Sequence, residues 1–195
     1  FKVGAIEKKQ VAKQPYAPYT TSVLQQDASI KLNFTPKKTM MLAQELYEGV
    51  NIKGRGTLGL ISYIRTDSVR ISDVADAACK AFIKEQYSEE YLGNNYYSNK
   101  KKGAQDAHEA IRPSYVDLTP DDIKESLSAD QYKLYRLIWS RFVASRMKPA
   151  VYDAVNVDVI NGDYTFKASG RKLAFDGYLK VYNDADAKEK ILPAL

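Results

Sequence analysis

The spacing of apolar residues changes twice along this chain, and the changes predict its elements. Phe1, Val3 and Ala5 alternate with Lys2 and Gly4, a period of two that predicts a strand over residues 1–6. Lys8 to Pro18 is polar and punctuated by proline, which predicts a connector. Helical spacing follows. Ser22 with Gln25 forms a capping-box pattern ahead of Leu24, Ala28 and Leu32, and Thr35-Pro36 opens a second helix carrying Met40, Ala43 and Tyr47. The glycines of Gly49 to Gly59 predict a flexible loop that delivers the chain to the short apolar run Leu60 to Ile64, a strand or turn. Ser72 caps a helix through about Tyr87, with Val74, Ala78, Ala81 and Phe82 among its apolar positions. Asn94 to Gly103 is polar and lysine-rich, hence a loop. Thr119-Pro120-Asp121-Asp122 predicts a short helix, and Ser128 with Gln131 a longer one through Leu134, Ile138, Val143 and Met147 to Pro149. The period then returns to two: Val155, Val157 and Val159, a turn at Asn161-Gly162, then Tyr164, Phe166 and Ala168, which is a β-hairpin. A further strand is expected over Leu179 to Tyr182.

Strand, helices, strands is the order of an α+β fold. Its simplest form is a helical domain, residues 35–148, inserted into a small antiparallel β domain built from residues 1–34 plus 149–195. Hydrophobic residues make up 45% of the 195 positions, enough for a folded core. The lone Cys79 lies among alanines and reads as a small buried residue, which fits a reducing, cytoplasmic setting. The sequence shows no secretory leader and no apolar run of bilayer length, so no membrane partner is expected. Opening on Phe1, it reads as a piece of a larger polypeptide. A net charge of +5 suits an anionic partner, though so small an excess is common in proteins that bind no nucleic acid.

The chemistry concentrates in Gly59 to Ser72, where Tyr63 sits among Ser62, Arg65, Thr66 and Asp67. A phenol is a weak nucleophile near neutrality, but a neighbouring guanidinium favours its phenolate and can hold a phosphate. Most tyrosines in any protein are packing residues, and this chain has fifteen, so Tyr63 alone would carry little weight.

The context carries the argument. Ile61-Ser-Tyr-Ile-Arg-Thr-Asp-Ser68 resembles the active-site signature of the type IA DNA topoisomerases, usually Ile-Thr-Tyr-Met-Arg-Thr-Asp-Ser, and Ala107 to Ser114 resembles their His-Glu-Ala-Ile-Arg-Pro motif. Similarity extends through Pro15 to Gln26, Lys37 to Gly49 and Gly170 to Tyr178, and so spans nearly the whole chain. The resemblance implies a β arch and an inserted helical domain with a winged-helix-like part that carries the tyrosine. It also implies transient cleavage of one strand of negatively supercoiled DNA through a 5′-phosphotyrosine at Tyr63, strand passage and religation without ATP. Arg65 would stabilise the transition state, His108 and Arg112 would contact DNA near the scissile phosphate, and Ser62, Thr66 and Asp67 would orient the loop. Mg²⁺ would be held by a Toprim domain outside this chain, without which the piece alone is expected to be inactive. The partners are then single-stranded and negatively supercoiled DNA and the remaining domains of the same polypeptide, in the bacterial nucleoid. Gly177 and the Lys8 to Pro18 connector are the expected bending points of the arch.

Other features weigh less. Lys100-Lys-Lys102 reads as a solvated run. Tyr132, Tyr135 and Trp139 lie at helical spacing and read as core rather than base-stacking groups. Asp184, Asp186 and Glu189 mimic a Mg²⁺ set but read as a solvated loop. Two competing functions remain in view: a winged-helix-type nucleic-acid-binding module without chemistry, and an interaction domain that docks partners on the β arch.

Overall fold

A computed structural model describes residues 1–97 and 108–193. In chain order the elements are β1 (Lys2–Lys13), α1 (Thr21–Leu32), α2 (Pro36–Glu48), β2 (Val50–Ile52), β3 (Gly56–Leu58), α3 (Asp73–Gln86), α4 (Ala129–Ala144), β4 (Ala150–Asn161) and β5 (Tyr164–Phe175). The result is an α+β fold with antiparallel sheets. Lys100 to Lys102 lie outside the described residues.

The two ends of the chain meet in one sheet of order β1-β4-β5. Directly opposed residues of antiparallel strands share a face. One face therefore carries the rows Ile6–Val157–Ala168 and Val3–Val159–Phe166, and the other carries Glu7–Asn156–Ser169 and Lys9–Ala154–Arg171. Strand β1 runs to Lys13, so the expected connector from Lys8 is half strand. Its polar side chains are exposed, and the long antiparallel pairing with β4 is what holds it straight. In the β4–β5 hairpin Asn161 pairs with Tyr164, which places the two-residue loop at Gly162-Asp163, and Gly162 takes φ +59° as such a turn requires.

Local caps set the helices. Thr35 and Ser72 accept hydrogen bonds from the backbone of Lys38 and Ala75, and Ser128 and Gln131 form a reciprocal capping box at the start of α4. Helix α1 begins two residues earlier than the Ser22 signal implies, because Thr20 is its cap. Its buried Leu24 and Ala28 join the helical core, and the helix packs on α2 and α4 although its sequence position groups it with the arch. Helix α4 is the centre of that core, burying Leu134, Tyr135, Ile138, Trp139, Phe142 and Val143. Tyr135 and Trp139 give their polar hydrogens to the carbonyls of Leu118 and Val116, as expected of core aromatics. The helix ends at Ala144, five residues before Pro149.

Three further expectations change. Gly49 to Gly59 contains the β2–β3 hairpin, with Gly54 and Gly56 both at φ +77°. Thr119 to Asp122 forms a turn closed by Thr119 and Asp122, and the regular structure nearby is a 3-10 turn at Lys124–Ser126. Leu179 to Tyr182 is no strand: Gly177–Lys180 is a 3-10 turn packed against the helical body.

That turn belongs to a dense junction. Arg141, 7% exposed, donates to Ala17 O (2.6 Å) and Tyr182 Oη (2.9 Å), pairs with Asp27 (3.3 Å), and lies over the rings of Tyr16 and Tyr19. Tyr19 and Tyr182 both donate to Asp27. Nearby, Asp184 pairs with Lys13 (2.8 Å), accepts from Tyr178 Oη and caps the 3-10 turn Ala185–Ala187. Burial pushes the Asp184 carboxyl up, but the hydrogen bonds from Lys13 and Tyr178 outweigh it and hold it below its ordinary value. Glu189 accepts from the backbone of Leu173. The expected solvated acidic loop is thus a structural clasp at Asp184 and Glu189. A Cβ at Gly177 would collide with the carbonyl oxygen of Pro149, which gives this glycine a packing role rather than a bending one.

Candidate active site

Residues 60–64 run across the helical body with Leu60, Ile61 and Ile64 buried and Tyr63 42% exposed. The apolar neighbours anchor the segment, and two hydroxyls fix its path on either side of Tyr63. Ser62 donates to Ala110 O (2.7 Å) and accepts from Arg112 N (2.9 Å), while its own N–H reaches Arg112 O (2.9 Å). Ile61 and Pro113 form an antiparallel bridge alongside. The two distant sequence motifs are therefore joined directly. After Tyr63, the Thr21 hydroxyl donates to Ile64 O (2.7 Å) and accepts from Thr66 N (2.9 Å), tying the segment to the start of α1. Leu60 N donates to Leu46 O (2.8 Å), and a Cβ on Gly59 would lie 2.8 Å from Tyr47 O, so the segment also sits hard against the end of α2.

The Tyr63 ring stands between two others. Tyr47 meets it edge-on with centroids 5.6 Å apart and planes at 68°, and His108 lies 5.5 Å away at 34°. Among the described residues none hydrogen-bonds to the Tyr63 hydroxyl. His108 is exposed, and its segment is held by Ala110 N donating to Arg70 O (2.8 Å) and Ile111 N donating to Tyr19 O (2.8 Å). An accessible phenol beside an imidazole, on a backbone hydrogen-bonded on both sides, is an arrangement suited to attack on a phosphate.

The remaining sequence candidates divide into two groups. Arg65 and Asp67 are exposed, and Arg65 makes no ion pair among the described residues. Ser62, Thr66 and Arg112 face inward. Thr66 is buried, its hydroxyl accepting from Ser68 N (3.0 Å). Arg112 gives two N–H groups to Glu109 Oε2 and a third to Pro113 O (3.0 Å). Burial pushes the Glu109 carboxyl up, but Ser72 and the Arg112 guanidinium together hold it below the usual carboxylate range. Ser72 acts here without closing a bond to Oε1, which is buried and unpartnered. With Glu109 ionised the Arg112 charge is matched internally. Thr21, Tyr47 and Glu109 are not singled out as site residues by sequence, although all three lie in stretches that resemble the family, because the contacts of Thr21 and Tyr47 are made across the fold. The described residues contain no group of three or more His, Cys, Asp or Glu side chains placed to hold a metal ion, so the residues present do not form a Mg²⁺ site. Nor do they include a helix long and apolar enough to cross a membrane.

The fold and site together define a member of the DNA topoisomerase family: the sequence profile of that family, described as DNA topoisomerase, matches residues 1–195. The chain belongs to this family. It is similar to full-length topoisomerase I from Thermotoga maritima, with a TM-score of 0.82 and 41% sequence identity over 98% of this chain. That match covers 31% of the Thermotoga maritima chain, so the sequence spans less than a third of the structure it resembles. The resemblance to bacterial type IA enzymes seen in the two motifs is supported by both comparisons.

Proposed function

We propose that this chain carries the nucleophile of a type IA DNA topoisomerase, and that the nucleophile is Tyr63. The observation that carries the reading is an exposed tyrosine flanked by His108 on a segment pinned by Ser62 and Thr21, within a family of DNA topoisomerases. The Tyr63 oxygen attacks a phosphorus of single-stranded DNA and forms a P–O bond as the bond to the 3′ oxygen breaks. The phenolic proton is lost and the departing oxygen is protonated, leaving a 5′-phosphotyrosine and a 3′-hydroxyl. The reverse reaction reseals the strand, and because the phosphodiester is exchanged rather than hydrolysed no ATP is required. Arg65 faces the charge that builds on the phosphate in the transition state, and His108 positions the phosphate. Arg112 serves by holding Glu109 and the His108 segment, and Ser62 and Thr66 by fixing the backbone around Tyr63.

In the whole polypeptide, passage of another strand through the break relaxes negative supercoils, with the β1-β4-β5 sheet as the arch. The helices with the β2–β3 hairpin form its winged-helix-like part. Mg²⁺ belongs to a Toprim domain elsewhere in the polypeptide, so this stretch alone neither cleaves nor relaxes DNA. Tyr63→Phe in the full-length protein should bind a single-stranded oligonucleotide as before and form no covalent adduct on a denaturing gel. An adduct in that variant overturns the assignment, and unchanged relaxation would favour a DNA-binding module without chemistry.

A further inference from the structure

Tyr63 has no hydrogen-bond partner for its hydroxyl among the described residues, and its ring stands against two others. One is His108. The other is Tyr47, and its position is unusually well determined. It stands on the last turn of α2, one residue after Leu46, which is fully buried and whose carbonyl accepts from Leu60 N. Its own carbonyl lies where any side chain on Gly59 would have to go. The backbone on each side of the ring pair is therefore tied to the other: α2 delivers Tyr47, and the segment beginning at Gly59 delivers Tyr63. The edge-on geometry, 5.6 Å and 68°, is a favoured aromatic arrangement. The Tyr47 hydroxyl has no described partner either, which leaves the ring as the functional part.

We propose that Tyr47 is a positioning residue for cleavage, holding the Tyr63 ring in the rotamer that aims its oxygen at the phosphate. This rests on Tyr63 being the nucleophile. A half-exposed ring supported on one side only samples other rotamers, and each excursion withdraws the oxygen from attack distance. Loss of alignment lowers the rate of the chemical step and leaves affinity for DNA alone. Because the contact is made by ring carbons, phenylalanine at position 47 preserves it.

The test uses the full-length polypeptide and a labelled single-stranded oligonucleotide. The covalent adduct is followed in a single turnover at saturating DNA, and affinity for the same oligonucleotide is measured separately. Tyr47→Ala should slow adduct formation about tenfold with affinity changed less than about twofold, and Tyr47→Phe should restore the wild-type rate. Wild-type speed in Tyr47→Ala would overturn the role. So would a loss confined to affinity, or a Tyr47→Phe variant as slow as Tyr47→Ala. Tyr63→Phe run alongside separates the two readings: an adduct there defeats the nucleophile assignment itself, whereas no adduct there with a fast Tyr47→Ala defeats only the positioning role.

Discussion

Tyrosines, an arginine and a carboxylate make both the junction around Arg141 and the site around Tyr63, yet the two regions do opposite things. At the junction Arg141, Asp27, Tyr19 and Tyr182 hydrogen-bond to one another. Tyr19 is fully buried, burial followed by the charges around it pushes its phenol far above the ordinary value, and its hydroxyl is committed to Asp27. At the site Tyr63 is 42% exposed and its hydroxyl has no hydrogen-bond partner among the described residues, where Arg65 beside it has no ionic partner. Residue type therefore does not decide between lock and reagent. Burial and the count of satisfied bonds do.

The comparison breaks most visibly at the junction. Arg141→Leu removes the cation that faces Asp27, Tyr16, Tyr19 and Tyr182, leaves Asp27 with Lys31 at 3.7 Å as its ionic partner, and strips Ala17 O and Tyr182 Oη of a buried donor. We expect a loss of about 3–5 kcal/mol in urea unfolding, because breaking one side of such a pair costs more than the pair contributes. Substitution of Arg65, the exposed counterpart, should leave the unfolding midpoint nearly unchanged.

A smaller effect falls on the link between the two motifs. Ser62→Ala deletes a hydroxyl that both donates to Ala110 O and accepts from Arg112 N, leaving two partly buried backbone groups unpaired. Its expected cost is about 1–3 kcal/mol. In the full-length protein it should also slow adduct formation, since Tyr63 follows directly. A Ser62→Ala variant as stable as the parent would show that the motifs are held together by other contacts.

The smallest expected effect is a pH dependence at Glu109. Its folded pKa is depressed, so the ionised form contributes stability that is present above its ordinary value of 4.5 and is lost as pH falls through the lower folded value. Glu109→Gln should flatten that part of the acid unfolding profile. A profile unchanged in the variant would mean that the acid loss arises elsewhere, with Asp184, depressed in the same way by Lys13 and Tyr178, as the natural second variant.

Where the determinants were local, the sequence was readable. Thr35-Pro36, Ser72 and the Ser128-Gln131 box sit within a few residues of the helices they start, and the valine alternation of β4 shows its half-buried face directly. Long-range pairing was harder to read. The second half of β1 is polar and exposed, and it is a strand because β4, far along the chain, supplies its ladder. Leu179 to Tyr182 has the composition of a strand, but Leu179 and Lys180 close the 3-10 turn Gly177–Lys180, and just beyond it Tyr182 reaches Asp27 and Arg141. The same limit applies at the site. Tyr63 and His108 stand out in their motifs, whereas Thr21 and Tyr47 become part of the site only once α1 and α2 are packed against the Tyr63 segment. Arg112, expected to contact the nucleic acid, instead pairs with Glu109, and Ser62 orients its segment by bonding to the Arg112 backbone, a link between distant motifs that no local spacing reveals.

The central claim is that one tyrosine bonds covalently to DNA, and trypsin offers a direct check because the peptide Gly56–Arg65 contains Tyr63 as its single tyrosine. Full-length protein trapped on a single-stranded oligonucleotide, digested with nuclease and trypsin and analysed by tandem mass spectrometry, should yield that peptide carrying a nucleotide on Tyr63. A nucleotide found on any other residue would contradict the account.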